Sequence, residues 1–358
     1  MKLRCLFSLV LIGCFCLVGR ADKLELVAGG ATKNDGVPAA EFKLTAPFGI
    51  DIDKAGNFYI VELYGHRFHK IDPKGVLTTI GGNGSKGNAG DGGPVKNATF
   101  NGMHALAVHP NTGDVYVADT WNNKVRKLDA KTGTITTIAG TGVKGYAGDG
   151  GPADQAKFGG IYCVALDPQA ENLICTDLDN RRIRKVALKT GTVTTVAGNG
   201  QRGVPKDGAL AVEAPLVDPR AAIADAAGNI YVLERGGHAL RIVDPQGKIR
   251  TVVGTGKAGN SGDGGPALEA TMNGPKHLCL DKDGSVLIAD TENHVVRRYL
   301  PKEGKIVRVA GTGKKGTELS ADPLKTQLNQ PHGVFVHPDG TLYIVDSSNH
   351  RVLRIVRE

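Results

Sequence analysis

The sequence predicts an all-β fold, a six-bladed β-propeller of four-stranded antiparallel blades. Three observations predict it. A unit of about 57 residues recurs six times, and each copy ends a short hydrophobic strand in an acid: Glu62, Asp119, Asp177, Glu234, Asp290 and Asp346, at intervals of 57, 58, 57, 56 and 56 residues. A period this regular marks similar supersecondary units, none of which buries its apolar faces alone. Within each unit, short runs alternate with period two and are separated by Pro, Asn, Asp and Gly at the reversals. The chain holds 50 glycines and few aromatics, and shows no long helical periodicity, a composition suited to many tight turns.

In chain order, the first element after the leader is a lone strand over 24–29, Leu-Glu-Leu-Val-Ala-Gly. The blades then cover 46–82, 100–140, 158–198, 216–254, 272–311 and 328–358. Blade 2 shows the pattern most plainly: strands at 106–109, 115–118, 124–128 and 134–138, with turns at Pro110–Asp114 and Asp129–Gly133. Blade 6 has three strands before the chain ends. The strand at 24–29 resembles the fourth strands at 195–198 and 308–311, so it is expected to complete blade 6, closing the ring and removing open sheet edges.

Residues 1–21 read as a signal peptide: a basic start, an apolar run from Cys5 to Val18, and Gly19-Arg20-Ala21 as a cleavage site. Export, periplasmic or extracellular, is therefore expected. The alternative is a lipid anchor at Cys14, in Leu11-Ile12-Gly13-Cys14. The whole chain carries a formal charge of +8; the leader holds three of the cations and no acid, which leaves +5. That mild excess favours anionic partners weakly and, with an export signal, argues against nucleic acid. No transmembrane span is expected beyond the leader, and a monomer is expected. Of the remaining cysteines, Cys163, Cys175 and Cys279, the first two lie on neighbouring strands and could face each other, although buried free thiols are the simpler reading.

Val117-Ala-Asp-Thr-Trp-Asn-Asn-Lys-Val-Arg126, Ile288-Ala-Asp-Thr-Glu-Asn-His-Val-Val-Arg297 and Ile344-Val-Asp-Ser-Ser-Asn-His-Arg-Val352 resemble the NHL repeat. The resemblance spans essentially the whole chain after the leader and implies a six-bladed propeller, the same count. It implies little about function, because the scaffold hosts many. Gly-x-Gly-x-x-Gly also recurs, as at Gly140–Gly145, but at the blade period and without a following helix, so it does not mark a dinucleotide site. Calcium at Asp91, Asp149 and Asp263, in the Gly-Asp-Gly-Gly-Pro runs, would have one carboxylate per loop, a thin oxygen cage.

Connectivity places the fourth-to-first connections and the second-to-third-strand loops on one face, around the channel mouth. The residues entering the innermost strands are expected to ring it: Phe48, His104, Tyr162, Arg220, Lys276 and His332. The ring has two cations, two histidines and two aromatics and no acid of its own. An outer rim of Lys86, Lys144, Arg202, Lys257 and Lys314 sits in the glycine loops. Cations over apolar surface suit an anionic glycan or an acidic protein segment, although rim lysines serve equally as solvated decoration. The strand-end acids are expected to bind loop amides and the basic residue seven positions on: His69, Arg126, Arg184, Arg241 and Arg297, with Leu353 breaking the series. His66, His238, His294 and His350 read as loop packing.

The principal reading is a ligand- or protein-binding module with its site on the Arg220/Lys276 side. The alternative is catalytic. The chain resembles propellers of the amidating-lyase type, which hold zinc with three histidines on alternate blades; the positions here are His104, Arg220 and His332. Arg220 would repel a divalent metal, and two histidines make an incomplete zinc site. The tyrosine of those lyases has only Trp121 or Tyr64 as a loose match. Streptogramin lyases are a second resemblance, through Pro47-Phe-Gly-Ile-Asp-Ile in blade 1. A metal-assisted lyase or hydrolase would use His104 and His332.

Overall fold

The computed structural model describes residues 22–356; the expected signal peptide over 1–21 and the alternative anchor at Cys14 lie outside the described residues. Six antiparallel sheets follow in chain order. Blade 2, typical of the set, runs from Met103–Val108 through Val115–Asp119 and Lys124–Leu128 to Ile135–Ala139. Lys23–Gly29 pairs antiparallel with Arg351–Val356 and completes blade 6, with Lys23 opposite Val356 and Gly29 opposite Arg351. Blades 1 and 4 gain a fifth, two-residue strand at Val37–Pro38 and Ala209–Leu210. Single bridges occupy that edge in three other blades, at Pro94, Pro152 and Pro266.

The second strand of each blade is covered on both faces. Val115–Asp119, Val286–Asp290 and Leu342–Asp346 are buried at every position. This is why they read as near-continuous apolar runs rather than as a clean alternation: one face packs on the preceding blade and the other on the following one. Cys163, Cys175 and Cys279 are buried free thiols.

The strand-end acids stitch the top of each blade. Asp119 accepts from the Asn101 amide at 2.7 Å and from the Asn122 side chain at 2.8 Å. Asp290 does the same with Asn273 and Asn293, and Asp346 with Asn329 and Asn349. Blades 1 and 4 carry the longer glutamate, and the residue three positions on is then glycine. A Cβ on Gly65 would lie 1.8 Å from Oε2 of Glu62, and one on Gly237 would lie 2.6 Å from Oε2 of Glu234. The extra methylene of glutamate fills the space that asparagine takes elsewhere. Gly65→Asn alone is therefore expected to cost about 1–3 kcal/mol through overpacking. With Glu62→Asp in the same chain the cost should fall short of the sum of the two single changes; additive effects in a denaturation double-mutant cycle would contradict this packing.

The basic residue on the third strand does more than pair with its own acid. Arg126, Arg184 and Arg297 are fully buried, and each joins the Gly-Asp-Gly-Gly-Pro aspartate to two loop carbonyls. Their closest approach to the strand-end acid is longer, 3.5–3.8 Å. Arg241 instead grips its acid directly, with two contacts of 2.8 Å to Glu234, and His69 lies 3.3 Å from Glu62. Blade 6, where Leu353 breaks the sequence series, uses Arg351 instead: it bonds Asp346 at 2.7 Å and the carbonyls of Thr317 and Gln327. Asp91, Asp149 and Asp263 are thus engaged by guanidinium groups and do not form calcium cages.

The recurrent histidines hold neighbouring blades together. His66, His238, His294 and His350 adopt the left-handed conformation. Each accepts through Nδ1 the amide of the next blade's entry, from Gly102, Gly274, Gln330 and Ala46 respectively. Asn123 fills the same role toward Gly160 at 2.9 Å. Asparagine tolerates that backbone conformation, and its amide oxygen substitutes for the imidazole nitrogen.

Candidate functional site: the channel mouth

The innermost strands bring the six ring residues together, packed as a plug. Phe48 lies between the two imidazoles, stacked on His332 with centroids 4.1 Å apart and edge-on to His104 at 5.1 Å. His104 also packs on Tyr162 at 4.3 Å, and the Arg220 guanidinium lies over the Tyr162 ring at 4.8 Å. Phe48, His104, Tyr162 and His332 are buried.

The six ring positions include no acid, but two acids from neighbouring positions face them. Asp218, two residues before Arg220, contacts its guanidinium at 3.3 Å and that of Arg235 at 3.7 Å. Glu292, two residues after the strand-end Asp290, pairs with Lys276 at 3.0 Å. A chain of hydrogen bonds runs from Ser348 to Gln330, from Gln330 to Glu292, and from Lys276 both to Glu292 and to Nε2 of His332. Spacing could have suggested Asp218 and Glu292, since both stand two residues from a site already singled out. The charged sector therefore holds three cations, Arg220, Arg235 and Lys276, against two carboxylates.

Both histidines are neutral. Burial pulls His104 down to about 3, with the charges of Arg220 and Lys276 adding to it. Burial, followed by the Lys276 charge, holds His332 well below its ordinary value. His332 donates from Nδ1 to the Gln330 carbonyl at 2.7 Å, and its Nε2 accepts from Lys276 at 3.0 Å. Nδ1 of His104 lies 2.9 Å from both the Gly102 carbonyl and Oγ1 of Thr120. The Thr120 hydroxyl is itself directed at the Ile161 carbonyl, so the imidazole proton belongs on Nδ1 of His104.

These contacts do not fit the zinc alternative. The metal-facing nitrogen of His332 is filled by an ammonium group, and the Phe48 ring stands between the two candidate ligands. No cluster of three or more His, Cys, Asp or Glu suited to a metal occurs among the described residues.

The outer ring adds a second character. Trp121, the single tryptophan of the chain, stands edge-on to His104 at 5.5 Å and is 47% exposed. It lies against Gly102, where a Cβ would meet the indole at 2.1 Å. Tyr64, 65% exposed, holds the equivalent position in blade 1. Aromatic surface thus gathers at blades 1 and 2, and charge at blades 4 and 5. Of the rim cations, Lys144 pairs with Asp179 at 2.6 Å, and all five are exposed.

The NHL repeat family model matches residues 328–355, the three strands of blade 6 with their entry. NHL repeat-containing protein 2 of Gallus gallus is 24% identical over 340 residues, which cover 86% of this chain and 46% of that protein. The chain is a six-bladed β-propeller with an NHL repeat in blade 6. It spans less than half the length of the curated relatives it matches first. Among solved structures, an auxiliary nutrient binding protein from Bacteroides thetaiotaomicron superposes on this propeller with a TM-score of 0.67 at 14% identity, covering 94% of this chain and 77% of that one. A streptogramin B lyase superposes with a TM-score of 0.54 at 14% identity, covering 94% and 98%. At such identities these likenesses establish the fold alone. No helix among the described residues is long and apolar enough to cross a membrane.

Proposed function

We propose that this propeller is a binding module whose channel mouth takes an anionic ligand with a flat apolar face, an acidic sugar being the class that fits best. One observation carries the reading. In the blade 4 and 5 sector, three half-buried or partly exposed cations share two carboxylates, beside a plug of apolar rings. The uncompensated positive charge sits where water is partly excluded, so an arriving carboxylate or sulfate meets a stronger field than on an open surface. Burial pulls Lys276 below its ordinary value, while Glu292 opposes that shift; a bound anion would further favour the ammonium form. Trp121 and Tyr64 supply the surface on which a sugar face stacks. The likeness to a nutrient binding protein agrees with a binding role and adds no ligand. An acidic protein segment would satisfy the charge but not the exposed aromatics.

The reading is tested on arrays of glycans and acidic peptides. Uronic or sulfated glycans are expected to bind, to weaken as salt rises, and to be lost in the double variant Arg220→Ala/Lys276→Ala. Thermal unfolding of that variant should stay within a few degrees of the parent, because both cations are partly solvated and lie outside the core. Binding undiminished in the double variant would remove the site.

A further inference from the structure

The six innermost strands run from the plug at the mouth to the opposite face, and there they open into a cavity of about 390 Å³. It is a separate space at the far end of the strands that carry Phe48 and His332. Its wall includes Ile52, Leu166, Ile223, Leu280, Phe335 and Val336, large apolar side chains that are only half-buried. Five different blades contribute them. A volume of this size is within the range of small-molecule sites, and a mostly apolar wall with a few placed polar groups is their usual composition.

Two carboxylates and an imidazole mark the wall, those of Asp51, Asp167 and His277. Asp167 is satisfied within its own hairpin, accepting from the amides of Glu171 and Asn172 and from the Asn172 side chain. The Asp51 carboxylate accepts the amides of Ile52 and Val108, each at 2.7 Å, and so bridges blades 1 and 2. Burial pushes it up to about 7. His277 accepts the Val334 amide through Nδ1 at 3.4 Å, which puts its proton on Nε2. That Nε2–H has no hydrogen-bond partner among the described residues. The thiols of Cys163 and Cys279 complete the polar marks. A purely structural channel would leave these apolar side chains facing water; a ligand would cover them.

We infer that the hairpin end of the channel is a second binding site, for a neutral, compact, largely hydrocarbon molecule that carries one polar group. The hydrocarbon part would cover the half-buried side chains, and the polar group would meet His277 or Asp51. No lysine or arginine lines this cavity, in contrast to the mouth.

The test uses the neutral fluorophore N-phenyl-1-naphthylamine with the whole protein. Saturable binding with enhanced emission is expected at micromolar dye. Ala165→Trp, which fills the cavity from blade 3, should weaken it at least tenfold, whereas Trp121→Ala at the mouth should leave it unchanged. Ile223→Trp fills the cavity from the neighbouring blade 4 and serves if the first variant does not fold. A crystal of the unaltered protein soaked in 1-bromohexane should show bromine between Leu166 and Phe335. No saturable binding, binding lost with Trp121→Ala, or an empty cavity after the soak would overturn the inference.

Discussion

Arg184→Ala is expected to cost about 3–5 kcal/mol of stability, the range for removing one partner of a buried ionic network. The Arg184 guanidinium is fully buried. It bonds Asp149 at 2.7 and 3.0 Å, the Lys157 carbonyl at 2.7 Å and the Ala147 carbonyl at 3.0 Å, stands 3.6 Å from Asp177, and lies over the Phe158 ring at 4.3 Å. Alanine would leave the buried Asp177 without its facing cation, Asp149 and two carbonyls without their guanidinium donor, and a cavity under the glycine loop. The loss should also depend on pH. Burial already pushes Asp177 up to about 6, against the pull of Asn180, Gly159 and Arg184. A carboxylate raised in the folded state binds more protons there than in the unfolded chain, so it adds stability as pH falls from the folded value toward 3.8. Without Arg184 the folded value rises further and the window widens. Denaturant unfolding should therefore show the variant's deficit shrinking between pH 7 and 5. A deficit under about 1 kcal/mol, or one that grows with acid, would contradict the network.

Gly140→Ala should be nearly as damaging, at about 3 kcal/mol or more. Gly140 leaves the outermost strand of blade 2 at φ +87, and a Cβ there would lie 2.0 Å from the Asn123 carbonyl oxygen. Backbone cannot yield as a flexible side chain does. The same approach recurs in every blade, from Gly29 against His350 to Gly311 against His294. Gly133 is the control: its φ is +69, but open space surrounds the added carbon. Gly133→Ala should cost only about 1 kcal/mol, the strain of the left-handed conformation alone. Equal thermal shifts for the two variants would mean that the close approach does not matter.

Gly140 also shows why the fold was legible. The first glycine of each Gly-x-Gly-x-x-Gly run answers a backbone contact that every blade repeats, so it appears in the sequence as a period rather than as a motif. Strand-end acids recur in all six blades and a left-handed histidine in four, with Asn123 in a fifth, and closure by residues 23–29 follows from the missing strand of blade 6. The mouth was legible only in part. Phe48, His104, Tyr162, Arg220, Lys276 and His332 do share one ring, because they hold the same register position. Their partners do not. Asp218 reaches Arg220 along the entry segment, whereas Glu292 reaches Lys276 from a loop, and no period announces either. Arg351 escaped the series for a similar reason: it enters from the start of the third strand, two residues before Leu353, and fills the same space. The far cavity depends on how far six side chains extend into a shared channel, which no single strand encodes.

The measurement that bears most directly on the mouth as a binding site is fluorescence titration of Trp121. It is the only tryptophan in the chain, half-exposed and 5.5 Å from His104, so its emission reports the site without a label. An oligogalacturonate is titrated beside its methyl-esterified, neutral counterpart. Saturable change in the Trp121 emission with the acidic oligosaccharide, weaker with the neutral one and weakened again by Lys276→Ala, is the expected result. Equal responses to both, or none with any acidic glycan that binds on the array, would contradict an anion site at the channel mouth.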